Sequence, residues 1–218
     1  MADRVTVRVT DPDSAIRLAL GEPERHTRSQ AIRRALVAGG TLALGGVAIG
    51  GLPRLAVSAP SPAQDVRILN LVLLLEHLEA EFYADAIQRG GLTGELRQFA
   101  RVVGRHEREH VAFIRKALAD KARNKPRFSF GTGRVTAAEF TAAALTIEDL
   151  SVAAYNGQAA NLTKATLGAA ARIVSVEARH AAWIRFIANK VPAPDPTDDP
   201  ATGAQVEARI RRTGFVRS

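Results

Sequence analysis

The sequence predicts an all-α protein, a four-helix bundle made of two repeated helical hairpins joined by a long crossover. Three observations predict it. After Pro62 the next prolines are Pro126 and Pro192, so two segments of 63 and 65 residues contain none. Proline breaks a helix interior by removing an N–H donor and clashing with the preceding turn. Both segments carry apolar residues at the three-and-four spacing of an amphipathic helix, and each is long enough for an antiparallel pair with a short turn. Finally, the two segments repeat each other. Leu75-Glu76-His77-Leu78 through Tyr83 aligns with Ile147-Glu148-Asp149-Leu150 through Tyr155 at an offset of 72. Glu107-Arg108-Glu109-His110-Val111-Ala112-Phe113-Ile114-Arg115 aligns with Glu177-Ala178-Arg179-His180-Ala181-Ala182-Trp183-Ile184-Arg185 at an offset of 70.

Composition narrows the chemistry. The 218 residues are 46% hydrophobic and 24% charged, enough for one buried core. Cysteine is absent, which excludes disulfides, thiolate zinc sites, cysteine-ligated iron–sulfur clusters and a thiol nucleophile. The net charge of +8 raises the question of nucleic acid.

The first element, residues 1–59, reads as an address. Arg33-Arg34 precedes Ala35 to Leu52, eighteen uncharged residues of which six are glycine, and then Pro53-Arg54. Twin arginines, a weakly apolar run and the small residues Ala56-Val57-Ser58-Ala59 resemble a twin-arginine export signal with a long leader. An uncleaved membrane anchor is the alternative. Cleavage near Ser58 or Ala59 removes eight basic and five acidic residues, which leaves +5. The expected location is exported, periplasmic or cell-envelope, the expected partner is the twin-arginine translocation machinery, and no nucleic acid is expected. The basic run Arg115, Lys116, Lys121, Arg123, Lys125 and Arg127 fits a solvated helix end favoured by the helix dipole.

Residues 60–190 hold the bundle. The break Gly90-Gly91-Leu92-Thr93-Gly94 gives helices over about 65–89 and 95–122. Thr136-Ala137-Ala138-Glu139 is a capping box that opens the third helix. A polar break around Gly157 to Thr163 separates it from a fourth over about 164–189. Between the hairpins, Arg123 to Val135 lacks helical pattern. Extended, that segment reaches roughly 43 Å, against roughly 38 Å for a 25-residue helix, so it can run the length of the bundle. Residues 191–218, Pro-rich and then amphipathic over about 204–212, read as a loosely packed tail.

Each half thus carries Glu-x6-Tyr on its first helix and Glu-x-x-His on its second, and the chain's two tyrosines both fall seven residues after a repeat glutamate. Helical spacing puts Glu76 with Leu69, Val72, Leu73, Ala80 and Tyr83, and Glu107 with Ala100, Val103, Gly104, His110 and Ile114. It puts Glu148 with Ala144, Leu145, Val152 and Tyr155, and Glu177 with Ala170, Ile173, His180 and Ile184. All four carboxylates therefore lie on apolar faces where a bundle closes its core, with no lysine or arginine at those same-face positions. Buried unpaired carboxylates cost several kcal/mol apiece or take up protons. Two divalent cations would balance the four charges, and Glu and His at i, i+3 point to the same side of a helix. A glutamate from each of two helices plus Glu-x-x-His from each of the other two is a di-iron or di-manganese carboxylate donor set; imidazole with carboxylate suits iron or manganese, and zinc also. Glu79 is borderline beside Phe82, Glu81 and Glu109 look exposed, and His77 and His106 are expected on the surface. Gly104, one turn before Glu107, reads either as a site of close helix approach or as a tolerated helix glycine.

On these residues the chain resembles the ferritin-like superfamily, its exported, desiccation-related branch most of all. The resemblance runs from about 65 to 190, with an echo in Arg127-Phe128-Ser129-Phe130-Gly131 and the tail. By analogy with bacterioferritin and rubrerythrin it implies six metal ligands, Glu76, Glu107, His110, Glu148, Glu177 and His180. Glu107 and Glu177 would bridge two iron (or manganese) ions, Glu76 with His110 would complete one, and Glu148 with His180 the other. Tyr83 and Tyr155 would orient carboxylates by hydrogen bonds. The implied chemistry is Fe(II) oxidation by O₂ or peroxide, or peroxide consumption at manganese, and the resemblance allows a homo-oligomer. Departures from the family are the missing cysteines, which exclude a rubredoxin-like electron donor, and Arg108, which stands where bacterioferritin has its haem-ligating methionine; no haem is expected.

Two other readings compete. A ferritin-like bundle can keep its ligands as a non-catalytic metal-binding or stress-protective protein. His106-Glu107-Arg108-Glu109-His110 also fits H-E-x-x-H, the zinc-peptidase helix, with Glu107 as base. The second half has Val176 before Glu177, so the leading histidine is outside the repeated design.

Overall fold

The computed structural model describes residues 59–217, and the expected export leader lies outside the described residues save for Ala59. Among the described residues no helix is long and apolar enough to cross a membrane. Helix α1 spans Pro62–Arg89. Ser61 caps it by accepting from the Gln64 N–H, and Pro62 takes the first-turn position where its missing N–H is harmless. Helix α2 spans Gly94–Leu118 and tightens into a 3₁₀ turn at Ala119–Lys121. Helix α3 spans Ala137–Ala159 behind the capping box read from sequence, Thr136 and Glu139 each bonding the other's backbone N–H. Helix α4 spans Lys164–Ile187.

The two hairpins, α1–α2 and α3–α4, meet along α1 with α3 and along α2 with α4, which is the all-α four-helix bundle expected. The crossover leaves beside Asn70, whose side chain bonds Lys121 O and Arg123 N at 3.0 and 2.7 Å. It ends beside Gly90, whose carbonyl accepts from Val135 N at 3.2 Å. Those anchors are twenty residues apart on α1, about 30 Å of helix. At its end the packing is tight enough to require glycine: Gly91 has φ +105°, and a Cβ there would stand 2.2 Å from Val135 O.

The tail differs from expectation. Instead of lying loosely, it forms helix α5, Gly203–Thr213, with a capping box from Thr202 and Gln205. Val206 and Ile210 are buried, as is Ala201. The strand β1, Arg127–Phe128 in the crossover, pairs antiparallel with β2, Val216–Arg217. The periodicity of α5 was legible, but its partner surface belongs to α1 and α3 and is set only by the tertiary fold.

Two apolar clusters fill the bundle. One contains Phe82, Tyr83, Phe99 and Phe140; the other contains Ile68, Val72, Leu73, Ile114, Tyr155 and Ile173. The buried acids fall between them.

Candidate metal centre

Helical registry brings all six predicted residues to one place. Glu76 comes from α1, Glu107 and His110 from α2, Glu148 from α3, Glu177 and His180 from α4. The four glutamates are 0% exposed. Two donor sets can each hold a metal ion: Glu76, Glu107, His110 and Glu177 form one, and Glu107, Glu148, Glu177 and His180 form the other. Glu107 and Glu177 belong to both.

His110 Nδ1 lies 3.2 Å from Glu76 Oε2, 3.1 Å from Glu107 Oε2 and 2.9 Å from Glu177 Oε1. His180 Nδ1 lies 3.0 Å from Glu107 Oε1, 3.5 Å from Glu148 Oε2 and 3.6 Å from Glu177 Oε2. Proximity does not complete the bonding. Glu107 Oε1, Glu148 Oε2, both Glu177 oxygens and His180 Nδ1 are buried without an aligned hydrogen bond. Buried polar atoms are nearly always satisfied in native proteins. Five such atoms converging from three helices, all of them metal-ligating types, fit a pair of cations.

The electrostatics agree. Burial pushes Glu76, Glu107 and Glu148 above the ordinary carboxylate range, Glu107 furthest, and the Glu177 charge pushes the same way. Glu177 is held below that range, because the nearby His110 and His180 imidazoles, favouring its charged form, outweigh its burial. Burial works against the cations of His110 and His180 as well, but the close carboxylates of the surrounding glutamates override it and push both up to about 12. Without metal, the cluster thus stores protons to limit its own repulsion.

The tyrosines bond crosswise. Tyr83 of the first hairpin donates to Glu148 of the second, and Tyr155 of the second donates to Glu76 of the first. Both phenols are pushed well above their ordinary range by burial and by those same carboxylates. Gly104 sits against Tyr83: a Cβ there would stand 2.7 Å from Tyr83 Cβ. Of its two readings, close helix approach is therefore the one the packing gives.

Three residues depart from the sequence reading. Glu79, borderline by pattern, is 0% exposed and bonds Ser151 Oγ at 3.4 Å. Burial and then the charges of Glu107, Glu177, Glu148 and Glu76 push it well above its usual range. Ser151 is its repeat counterpart, at the same offset of 72. His77, expected on the surface, is buried with Nε2 unpartnered. His106, also expected outside, is half-buried and places Nδ1 2.9 Å from His180 Nε2. That geometry also weighs against the peptidase reading: neither donor set includes His106. Arg108 lies on the exposed side of α2, Glu109 is exposed, and Glu81 pairs with Lys125 at the surface.

No curated protein sequence matches the chain. The profile of the ferritin-like domain family matches residues 64–190, more than half of the sequence and the whole of α1 to α4 but for a few terminal residues. With that match laid over a bundle whose four helices each deliver their acids to one buried cluster, the chain belongs to the ferritin-like domain family.

Proposed function

We propose that the chain binds two iron (or manganese) ions at this cluster and uses them in redox chemistry with O₂ or peroxide. The observation that carries the proposal is the pair of overlapping three-glutamate, one-histidine donor sets, with oxygens left buried and unsatisfied. The bound ions would supply electron transfer to O₂ or peroxide, by Fe(II) oxidation or by manganese-dependent peroxide consumption. The protein's own part is positional. Glu107 and Glu177 lie in both sets and would hold the ions together, while Glu76 with His110 and Glu148 with His180 would complete each. Tyr83 and Tyr155 fix the rotamers of Glu148 and Glu76 through the facing hairpin. The apolar clusters on either side exclude water. His110, 13% exposed, borders a surface hollow lined by Glu109, Phe113, Arg172 and Ile173, a route for small reactants. His110 and His180 would each give up a proton on ligating a metal.

We further infer that the twin-arginine leader delivers the folded, metal-loaded protein out of the cytoplasm.

Metal analysis of purified protein tests the reading, alongside Glu148→Ala and His180→Ala. Two metals per chain are expected in the wild type under iron- and manganese-replete conditions, with a clear loss in both variants. Fewer than one metal per wild-type chain would sink the dinuclear assignment. If metal binds but neither Fe(II) oxidation nor peroxide consumption exceeds that of the variants, the site is a structural or protective one.

A further inference from the structure

The repeat that builds the bundle is broken beside the acids. His106 precedes Glu107, but Val176 precedes Glu177. His106 reaches across from α2 to α4, where its Nδ1 lies 2.9 Å from His180 Nε2. The two rings stack with centroids 5.2 Å apart and planes 18° apart. His180 is thereby held at both nitrogens, Nδ1 directed at Glu107, Glu148 and Glu177 and Nε2 at His106.

A neutral imidazole carries one N–H. If Nδ1 of His180 ligates a cation, the proton must sit on Nε2, and His106 Nδ1 is placed to accept it. Such an outer partner fixes the tautomer and ring orientation of a ligating histidine and strengthens it as a donor. The repeat supplies nothing equivalent in the other half, since valine has no acceptor. Burial adds to the difference. All four members of the His180 set are buried, whereas His110 is only half-buried and borders the surface hollow.

Building on the dinuclear reading, we propose that His106 is a positioning residue for His180, and that it makes the two metal positions unequal. The set of Glu107, Glu148, Glu177 and His180 is the tighter and fills first. The set of Glu76, Glu107, His110 and Glu177 is the weaker, exchangeable one.

Anaerobic calorimetric titration of the full-length protein with Fe(II) tests this. The wild type should bind in two steps of one iron each. His106→Phe keeps a ring for stacking but removes the acceptor, and should weaken the tighter step by about 10–100-fold while the weaker step and the thermal unfolding of metal-free protein stay put. His106→Asn places an amide oxygen near the position of Nδ1 and should restore most of the affinity. Two equivalent irons in the wild type, an unchanged tight step in His106→Phe, or no recovery in His106→Asn would each overturn the role of His106. Fewer than one iron per wild-type chain would instead bring down the dinuclear reading, and this inference with it.

Discussion

Glu107 and Glu177 are repeat partners with opposite electrostatic duties in the metal-free protein. Burial and the neighbouring Glu177 charge press Glu107 toward its protonated form. Glu177, despite equal burial, carries the charge that balances the two imidazolium groups. The same isosteric change should therefore move stability in opposite directions. Glu107→Gln removes a carboxyl that must take up a proton to be buried and should raise the melting temperature of metal-free protein, by roughly 1–2 kcal/mol of stability, as relief of functional-site strain does elsewhere. Glu177→Gln leaves two buried cations short of their partner and should cost about 3 kcal/mol. Both should lose metal, since each residue serves both donor sets. Parallel thermal unfolding with chelator present checks the pair, and equal shifts would refute the division of charge. The ligand residues were legible because helical spacing and the repeat selected the same six. Glu79 was not, because its neighbours in sequence mix charge with Phe82, and only the packing shows the carboxylate facing four others. His106 was missed for a related reason: one residue of spacing turns it about 100° off the apolar face that Glu107 occupies, and no sequence pattern reveals a ring on the neighbouring helix.

At the scale of elements, the hairpins are tied by polar contacts as well as by apolar faces. Asp65, in the first turn of α1, reaches the start of α4, where it accepts from Thr163 N at 2.9 Å and from the hydroxyls of Thr163 and Thr166 at 2.5 and 2.6 Å. A carboxylate from one hairpin thus caps a helix of the other, whose own N-cap residue makes no side-chain cap bond. Burial works to raise the Asp65 pKa, but these bonds outweigh it and hold the carboxyl below its ordinary value. An acid whose folded pKa is depressed contributes stability above its unfolded pKa, and loses it as pH falls through the folded one. Asp65→Ala should therefore cost about 1–2 kcal/mol near neutrality. The gap between wild type and variant should narrow as pH drops below about 4. Unfolding midpoints of both proteins from pH 7 to pH 3 provide the check; a constant gap would mean that Asp65 acts by packing alone. The helices themselves were readable from proline spacing, glycine breaks and the capping box. The cap across hairpins was not, because nothing local links residue 65 to residue 163.

Over the whole molecule, the C-terminal segment acts as a clamp, a role that periodicity alone does not reveal. Ala201 N donates to Ala153 O at 2.8 Å, fixing the segment on α3. Gly157 allows the approach: a Cβ there would stand 1.9 Å from Ala201 O. Val206 and Ile210 then close over the first apolar cluster, and Phe215 packs against Phe82 and Phe130 at 6.3 and 5.1 Å. The β1–β2 pairing and the bond from Ser129 N to Phe215 O fasten the end to the crossover. The segment therefore touches α1, α3 and the crossover at once, and it also covers the outer side of α1. Removing residues 201–218 should cost roughly 3–6 kcal/mol, taking about 1.5–3 kcal/mol for each of Val206 and Ile210 as the main terms. It should also lower the denaturant slope, since less surface is buried in the folded state. Gly157→Val tests the same docking without shortening the chain: its side chain must displace the Ala201 backbone, so it should reproduce most of the loss while leaving the six Glu and His positions intact. Wild-type midpoint and slope in both variants would show that the segment merely rests on a bundle already complete at Ile187, whereas the predicted losses make the clamp part of the folding unit.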